Sequence, residues 1–255
     1  MKFASWNVNS IKARQDHVLT WLEAEQPEAL MVQELKGLEI PSPERFEALG
    51  YQISAVGQKT YNGVATFSKE PITEILRALP GDAEDEQARY QEFEMGGVRL
   101  INIYAPNGNP VDTGKFSYKL AWMERLMTRL GTLRQEQIPF LVTGDFNIIP
   151  EPVDCYDPKA WEGDALFRPE SRAYYRRLIH LGLTDALRAV NTQAQEYTFW
   201  DYQGGAFPAN KGIRIDHFLL SPALTDRLQD CRIDAKPRGW EKPSDHTPII
   251  CEIAA

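Results

Sequence analysis

The chain has 255 residues, 43% of them hydrophobic, and carries 28 Lys and Arg against 36 Asp and Glu, a formal net charge of −8. This length and apolar share supply a large core, in one large domain or two small ones, and no apolar run approaches the ~18 residues of a membrane span. The acidic balance argues against a nonspecific coat on nucleic acid. Three cysteines (Cys155, Cys231, Cys251) without metal spacing argue for free thiols over a disulfide framework or a zinc site. The N-terminus opens on a strand-like run with no basic-then-apolar leader, so a soluble cytoplasmic protein, monomeric by default and with no membrane partner, is expected.

Short β-rich runs alternate with amphipathic helices. A strand is predicted over Lys2–Asn7, then a helix over Ala13–Glu25 that stops before Pro27. Strands follow over Leu30–Gln33, Gly63–Ser68 and Val98–Tyr104, and the acidic stretch Pro80–Gln91 is expected to be exposed. A long helix is predicted over Tyr118–Gln135, where Leu120, Met123, Leu126, Met127, Leu130 and Leu133 recur at helical spacing. After a strand over Phe140–Thr143, Pro150–Phe167 reads as a long ordered surface loop. A third helix spans Ser171–Leu181, with Gly182 as its stop. The last strands are Ile215–Ser221 and Ile249–Ile253. Four basic groups read as solvated faces: Lys115 and Lys119; Arg172, Arg176 and Arg177; Lys211 and Arg214; Lys236, Arg238 and Lys242.

The apolar runs end in polar clusters: Trp6-Asn7-Val8-Asn9, Gln33-Glu34, Tyr104-Ala105-Pro106-Asn107, Gly144-Asp145-Phe146-Asn147, Arg214-Ile215-Asp216-His217 and Ser244-Asp245-His246-Thr247-Pro248. Strand ends feed loops that project from a rigid scaffold. If the chain stays extended there, Asp145 and Asn147 point to one side, and Arg214 shares a face with Asp216 opposite Ile213 and Ile215.

Carboxylates, amides, a phenol and a histidine placed this way suit hydrolysis of a phosphate ester. The phosphate's charge repels a nucleophile, water must be oriented and deprotonated, and the leaving oxygen needs stabilising. A hard divalent ion relieves much of this, and Mg²⁺ prefers one or two carboxylates plus waters and substrate phosphate. Glu34, Asp145, Asp216 and Asp245 supply such oxygens. His246 can bond or protonate a phosphate oxygen if a carboxylate orients its other nitrogen. Asn7, Asn147, Asn107 and Tyr104 are neutral donors for phosphate oxygens and water. Taken singly, each is more often structural: Asp145 after Gly144 a turn or cap, His246 beside Asp245 a hydrogen-bonded pair. Their occurrence together on six segments favours a site. His17 and His180 are expected on helix surfaces and His217 in a strand facing away from Asp216, none with a catalytic role.

These residues give a family resemblance. The chain resembles the exonuclease III type of apurinic/apyrimidinic endonuclease, bacterial branch, within the endonuclease/exonuclease/phosphatase superfamily. Gly144-Asp145-Phe146-Asn147 with Ser244-Asp245-His246 marks the superfamily, whereas Trp6-Asn7-Val8-Asn9-Ser10, Gln33-Glu34-Leu35-Lys36 and Phe199-Trp200-Asp201-Tyr202 point to the DNA-repair branch. The matched segments span nearly the whole chain in family order. The resemblance implies a single domain over residues 1–255, an α/β four-layer sandwich of two packed mixed sheets flanked by helices. It implies Mg²⁺, with Mn²⁺ as substitute, held mainly by Glu34 with Asn7 and Asp245 close by and Asp145 and Asn147 within the same sphere. Asp145 would be the general base or align the water, Asp216 would orient His246, and His246 would stabilise the phosphate. Tyr104 and Asn107 would contact the phosphate that is cut. Phe199, Trp200 and Ile215 would shape a pocket for a flipped-out baseless sugar, since extruding a nucleotide costs least where the base is missing. Arg89 and Lys115 would meet the DNA backbone.

The implied partner is double-stranded DNA with abasic or 3′-blocked lesions. The implied reaction is incision 5′ to the abasic site to leave a 3′-hydroxyl, with 3′-end processing or 3′-to-5′ exonuclease activity. Ile213 stands where eukaryotic relatives have tryptophan, no arginine follows Asn107-Gly108, and Arg89 is one arginine where close relatives often have two. Single incisions are therefore expected over long processive digestion. Two other readings stay open at this level: a superfamily phosphatase on non-nucleic-acid phosphoesters, and a non-catalytic nucleic-acid-binding relative.

Overall fold

The computed structural model describes residues 1–193 and 195–254. In chain order its elements are β1 (Lys2–Asn7), α1 (Ile11–Glu25), β2 (Ala29–Gln33), α2 (Glu44–Glu47), β3 (Gln52–Val56), β4 (Val64–Ser68), β5 (Thr73–Leu76), β6 (Tyr90–Met95), β7 (Val98–Tyr104), α3 (Gly114–Gln135), β8 (Phe140–Asp145), α4 (Pro158–Trp161), α5 (Pro169–His180), β9 (Thr184–Asp185), α6 (Ala186–Val190), β10 (Asp216–Leu220), α7 (Pro222–Thr225), β11 (Leu228–Ile233) and β12 (Ile249–Ile253). Two six-stranded sheets form, ordered β11-β12-β1-β2-β4-β3 and β5-β6-β7-β8-β10-β9. Among the described residues no helix is long and apolar enough to cross a membrane.

Three apolar clusters set the layers. Phe3, Met31, Phe93, Leu100, Leu141, Phe218 and Ile249, drawn from both sheets, pack face to face. Outside the first sheet, Ala4, Trp6, Leu30 and Val32 meet Val18, Trp21 and Leu22 of α1. Outside the second, Ile101, Ile103, Phe140 and Val142 meet Met123, Leu126 and Leu130 of α3 and Tyr175 and Leu178 of α5. The result is the α/β four-layer sandwich. Strands covered on both faces must be apolar throughout, which is why β1, β2 and β8 read so clearly as continuous runs. A polar seam also ties the sheets together: Gln33 Nε2 donates to Asn102 Oδ1 at 2.8 Å, and Thr66 Oγ1 donates to Gln91 Oε1 at 2.8 Å.

The predicted helices form with moved ends. The first begins at Ile11 and closes at Gln26, which is left-handed (φ 47) and returns its N–H to Leu22 O, just before Pro27. The long helix begins four residues early, because the Thr113 hydroxyl accepts from Lys115 N and caps it. Five strands were absent from the sequence reading: β3, β5, β6, β9 and β11. Four of these are the sheet edges. Edge strands bury one face or less, so they lack a continuous apolar run, and β11 is also broken by a register shift between Leu228 and Asp230. The expected exposed stretch Pro80–Gln91 is exposed at its start, but Tyr90 and Gln91 belong to β6 and are buried. The expected surface loop Pro150–Phe167 carries α4, and Ala165, Leu166 and Phe167 are buried against Ile149 and Ile213.

Candidate active site

Each sheet holds one parallel pair near its middle, β1 with β2 and β7 with β8. Parallel strands end on the same side, so Asn7 stands beside Gln33 and Tyr104 beside Asp145. Antiparallel β10 starts at that same rim, with Asp216 opposite Asp145. The segment before β12 brings His246 there, bridged to Phe199. Strand direction thus gathers polar clusters from far-apart stretches of sequence.

His246 sits at the centre. Its Nδ1 lies 2.8 Å from Asp216 Oδ2, and its Nε2 lies 3.7 Å from Asp145 Oδ2. The ring is held from behind: Trp6 Nε1 donates to His246 O at 3.2 Å, and His246 N donates to Ser244 Oγ, whose hydroxyl donates to Asn7 O at 2.7 Å. Burial would lower the imidazole's pKa, but Asp216 and then Asp145 outweigh it and raise it. Burial raises the Asp145 carboxyl, with His246 opposing and Asp216 adding. The His246 shift favours a doubly protonated ring between the two carboxylates, with Nδ1 donating to Asp216. Asp216 Oδ1 is buried and, among the described residues, has no hydrogen-bond partner.

Glu34 stands alongside. Asn7 Nδ2 bridges it to Asp145, donating to Glu34 Oε1 at 2.9 Å and to Asp145 Oδ2 at 3.0 Å. The Tyr104 hydroxyl donates to Glu34 Oε1 at 3.0 Å, and Lys36 Nζ lies 2.8 Å from Glu34 Oε2. Burial would raise the Glu34 carboxyl, yet the bonds from Lys36 and Asn7 hold it below its ordinary value. The Tyr104 phenol is raised well above 10.0 by burial and then by Glu34 and Asp145, so it serves as a donor. Lys36 was not singled out by sequence reasoning. Its signal is its place two residues after Glu34: both residues have left-handed backbone (φ 56 and φ 52), and their side chains meet in an ion pair.

Asp145 and Asn147 do approach each other, but not through an extended chain as expected. Asn147 is left-handed (φ 49), and its N–H folds back onto Asp145 Oδ1 at 2.8 Å. The turn requires Gly144 (φ 137), where a Cβ would lie 1.9 Å from Ile103 O. Asn147 Nδ2 donates to Ala105 O at 2.9 Å, and Asn107 Nδ2 donates to Asn147 Oδ1 at 3.1 Å, joining the loops after β7 and β8.

The donor set fits a divalent cation. Carboxylate oxygens of Glu34 and Asp145 lie within 4.8 Å of each other, the kind of donor a hard ion prefers, and a nitrogen of His246 lies within the same distance beside them. Asn7 turns its amide nitrogen to the carboxylates, while its oxygen accepts from Asn9 N at 3.0 Å. Asp245 lies outside this group, its Oδ1 accepting from Asn9 Nδ2 at 3.1 Å. Asn147 has both side-chain polar atoms engaged by the neighbouring loop.

Two cavities flank the centre. Asn107, Arg89 and Lys115 border one of about 470 Å³ with Gln58, Tyr61 and Tyr118. There the Arg89 guanidinium lies over the Tyr104 ring, 4.7 Å from its centroid. Phe199 packs edge-on to His246, ring centroids 5.1 Å apart, and lines the other, of about 390 Å³, with Ile213 and Trp161. Trp200 and Ile215 are not on that wall. Trp200 is buried with its indole N–H on Asn210 Oδ1 at 3.2 Å, and Ile215 packs among Ile149, Phe116 and Cys155.

Three basic residues expected on solvated faces are interior. Arg214 is buried in ion pairs with Asp154 and Asp185, and so does not share a face with Asp216 toward the site. Arg238 Nη2 donates to Trp200 O at 3.0 Å. Lys119 is fully buried, and burial pushes its amine down to about 7 against the pull of Asp145 and Asp164. His180 is exposed as expected, His17 is half-buried, and His217 faces away from Asp216 toward Arg214.

The family model for the endonuclease/exonuclease/phosphatase family matches residues 4–246. The chain belongs to this family. It is similar to exodeoxyribonuclease III of Haemophilus influenzae, 37% identical over 99% of this chain and 100% of that protein. Among solved structures it is similar to a 3′ phosphatase of Neisseria bound to a product DNA hairpin, with TM-score 0.96 and 37% identity, each chain covered in full. It is likewise similar to an AP endonuclease from Archaeoglobus fulgidus, with TM-score 0.95 and 35% identity over the whole of both chains. The chain is thus a hydrolase of the endonuclease/exonuclease/phosphatase family, with that family's sandwich.

Proposed function

We propose that the protein is a DNA-repair phosphodiesterase, acting as a monomer, that cuts duplex DNA 5′ to an abasic site and leaves a 3′-hydroxyl, with 3′-end processing at the same centre. The observation that carries this reading is His246 held between Asp145 and Asp216 beside Glu34. Full-length similarity to an exodeoxyribonuclease III and to an AP endonuclease supports DNA as the substrate. Likeness to a Neisseria 3′ phosphatase supports the 3′-end activity.

In this mechanism Glu34, with Asp145, would hold Mg²⁺, or Mn²⁺ as substitute, and the bound ion would supply charge neutralisation at the scissile phosphate and its leaving oxygen. His246 donates from Nε2 to a non-bridging phosphate oxygen, and Asp216 holds the ring through Nδ1 so that it cannot turn away. Asp145, aligned by the Asn147 N–H and by Asn7, orients the attacking water and receives its proton. Tyr104 and Asn107 supply neutral donors to the phosphate. Arg89 and Lys115 meet the neighbouring backbone, which localises positive charge on an otherwise acidic protein. Phe199 and Ile213 offer an apolar wall next to His246 for a sugar without its base.

The test compares three substrates with Mg²⁺: a duplex with one abasic site, a nick blocked by a 3′-phosphate, and an undamaged recessed end. Incision of the abasic duplex that disappears in His246→Asn is expected. Turnover of the 3′-phosphate alone would replace the endonuclease reading with a 3′-phosphatase one, and turnover of soluble phosphoesters alone would remove DNA as the substrate.

A further inference from the structure

We propose that Lys119 is a positioning residue of this site, tying the loop after β7 to the loop after β8 so that Asn147 and Asp145 keep their reactive geometry. Lys119 lies on α3, in the outer helical layer, yet it is fully buried. Its Nζ donates to Asn107 O at 3.0 Å and to Asn147 O at 2.5 Å. These are the two residues whose side-chain amides meet at 3.1 Å, and Asn147 is the residue whose N–H holds Asp145 Oδ1.

Fixing the Asn147 carbonyl fixes the left-handed turn at that residue. The turn in turn sets the direction of the N–H on the carboxylate that handles the water. A clamp from outside is useful here because left-handed backbone, which asparagine tolerates better than most residues, still gains from an anchor on its carbonyl.

Two observations argue against a plain packing role. First, among the described residues no carboxylate lies within ion-pair distance of Nζ, whose named acceptors are both backbone carbonyls. Burying a basic nitrogen without a carboxylate partner costs stability, and an apolar side chain of the same length would fill the space without that cost. Second, the site is cut to the lysine stem. Gly108 (φ 92) leaves room where a Cβ would come 2.7 Å from Lys119 Cδ and 3.1 Å from Ala165 Cβ. The lysine and the glycine therefore form one unit, made from the segment after β7 and the helix that follows.

The inference rests on the hydrolytic reading above. Its test is steady-state cleavage of the abasic duplex by Lys119→Met, which keeps the stem and removes the donors. A fall in kcat of roughly 10–100-fold with KM changed less than about 2-fold is expected, as for a small misplacement of reacting groups. Gly108→Ala should move kcat in the same direction. Lys119→Ala opens a channel for added n-propylammonium, which should restore part of kcat. Tetramethylammonium, which has the charge but no N–H, should not. Full kcat in Lys119→Met, or a loss that equals the loss of folded protein and that the amine does not relieve, would overturn the proposal. If the wild type fails to cut DNA, the DNA reading falls by itself, and the same comparison runs on bis(p-nitrophenyl) phosphate.

Discussion

Two buried histidines on neighbouring stretches of the fold have their pKa values driven in opposite directions. His217 receives Arg214 Nη1 on Nδ1 at 3.0 Å and gives Nε2–H to Ile148 O at 3.0 Å. Burial and then Arg214 push it down to about 4, so it is neutral. His246 lies between Asp216 and Asp145 and is raised. Their surroundings differ in one further respect. Around Arg214 both carboxylates are fully engaged: Asp154 accepts from Arg214, Arg188 and Glu151 N, and Asp185 accepts from Arg214, Tyr175 and Arg188 N. Around His246 three carboxylates gather, with Lys36 and the imidazole ion-paired to them, and among the described residues Asp216 Oδ1 has no hydrogen-bond partner. A closed cluster stabilises itself. An open one with surplus negative charge is arranged to receive something from outside, here a cation and a phosphate.

That contrast breaks most visibly in activity. His246→Asn and Asp145→Asn should each lower single-turnover incision of an abasic duplex by about 10³-fold, as expected for removing a proton-handling group or a charge-stabilising donor. Asp145→Asn should melt near the wild type, because it removes one of the surplus negative charges, whereas His246→Asn takes the cation from between Asp145 and Asp216 and should melt lower, so its activity is read per folded molecule. Near-normal incision by either folded variant would remove the site from the account. In the closed cluster the expectation is reversed. Arg214→Met strands Asp154 and Asp185 in the interior and should cost roughly 3–5 kcal/mol in denaturant unfolding. Its kcat per folded molecule should be unchanged, and a selective loss of kcat would show that the two clusters act together.

Cation binding gives a smaller, sharper test of openness. Mg²⁺ at about 100 times its dissociation constant should stabilise the protein by ~2.7 kcal/mol, seen as a rise in melting temperature. The rise should vanish in Glu34→Gln, and chelation should abolish turnover; an equal rise in Glu34→Gln would place the ion elsewhere. The last test is stability against pH. The folded pKa of His217, about 4, lies below its ordinary 6.5, so the unfolded chain binds a proton that the native state refuses. This contribution is complete above about 6.5 and declines as pH falls toward 4. His217→Gln should flatten that part of the acid limb, and an unchanged slope would contradict the assignment.

Much of this contrast was legible in the sequence, and the missing part has a physical cause. Strand ends announced Asn7, Glu34, Tyr104, Asp145, Asp216 and His246, because apolar runs covered on both faces stop abruptly where the backbone leaves the sandwich. The edge strands β3, β5, β9 and β11 were not visible, since a strand with one neighbour has no need of an unbroken apolar run. The buried cations were also invisible. Nothing in Lys211-Gly212-Ile213-Arg214 tells a solvated arginine from one paired with Asp154 and Asp185, because those carboxylates come from distant segments. The same holds for Lys119, whose partners are backbone carbonyls with no side-chain signature. Asp145 with Asn147 was reached by a wrong route, since left-handed Asn147, not an extended strand, brings them together.

The central claim is that His246 is charged and His217 neutral at the same pH in the same interior. Long-range ¹H–¹⁵N correlation of the ¹⁵N-histidine-labelled, metal-free protein at neutral pH reads both rings directly. Protons on both nitrogens of His246 and on Nε2 alone of His217 are predicted. A neutral His246 ring, or a doubly protonated His217, would contradict the account.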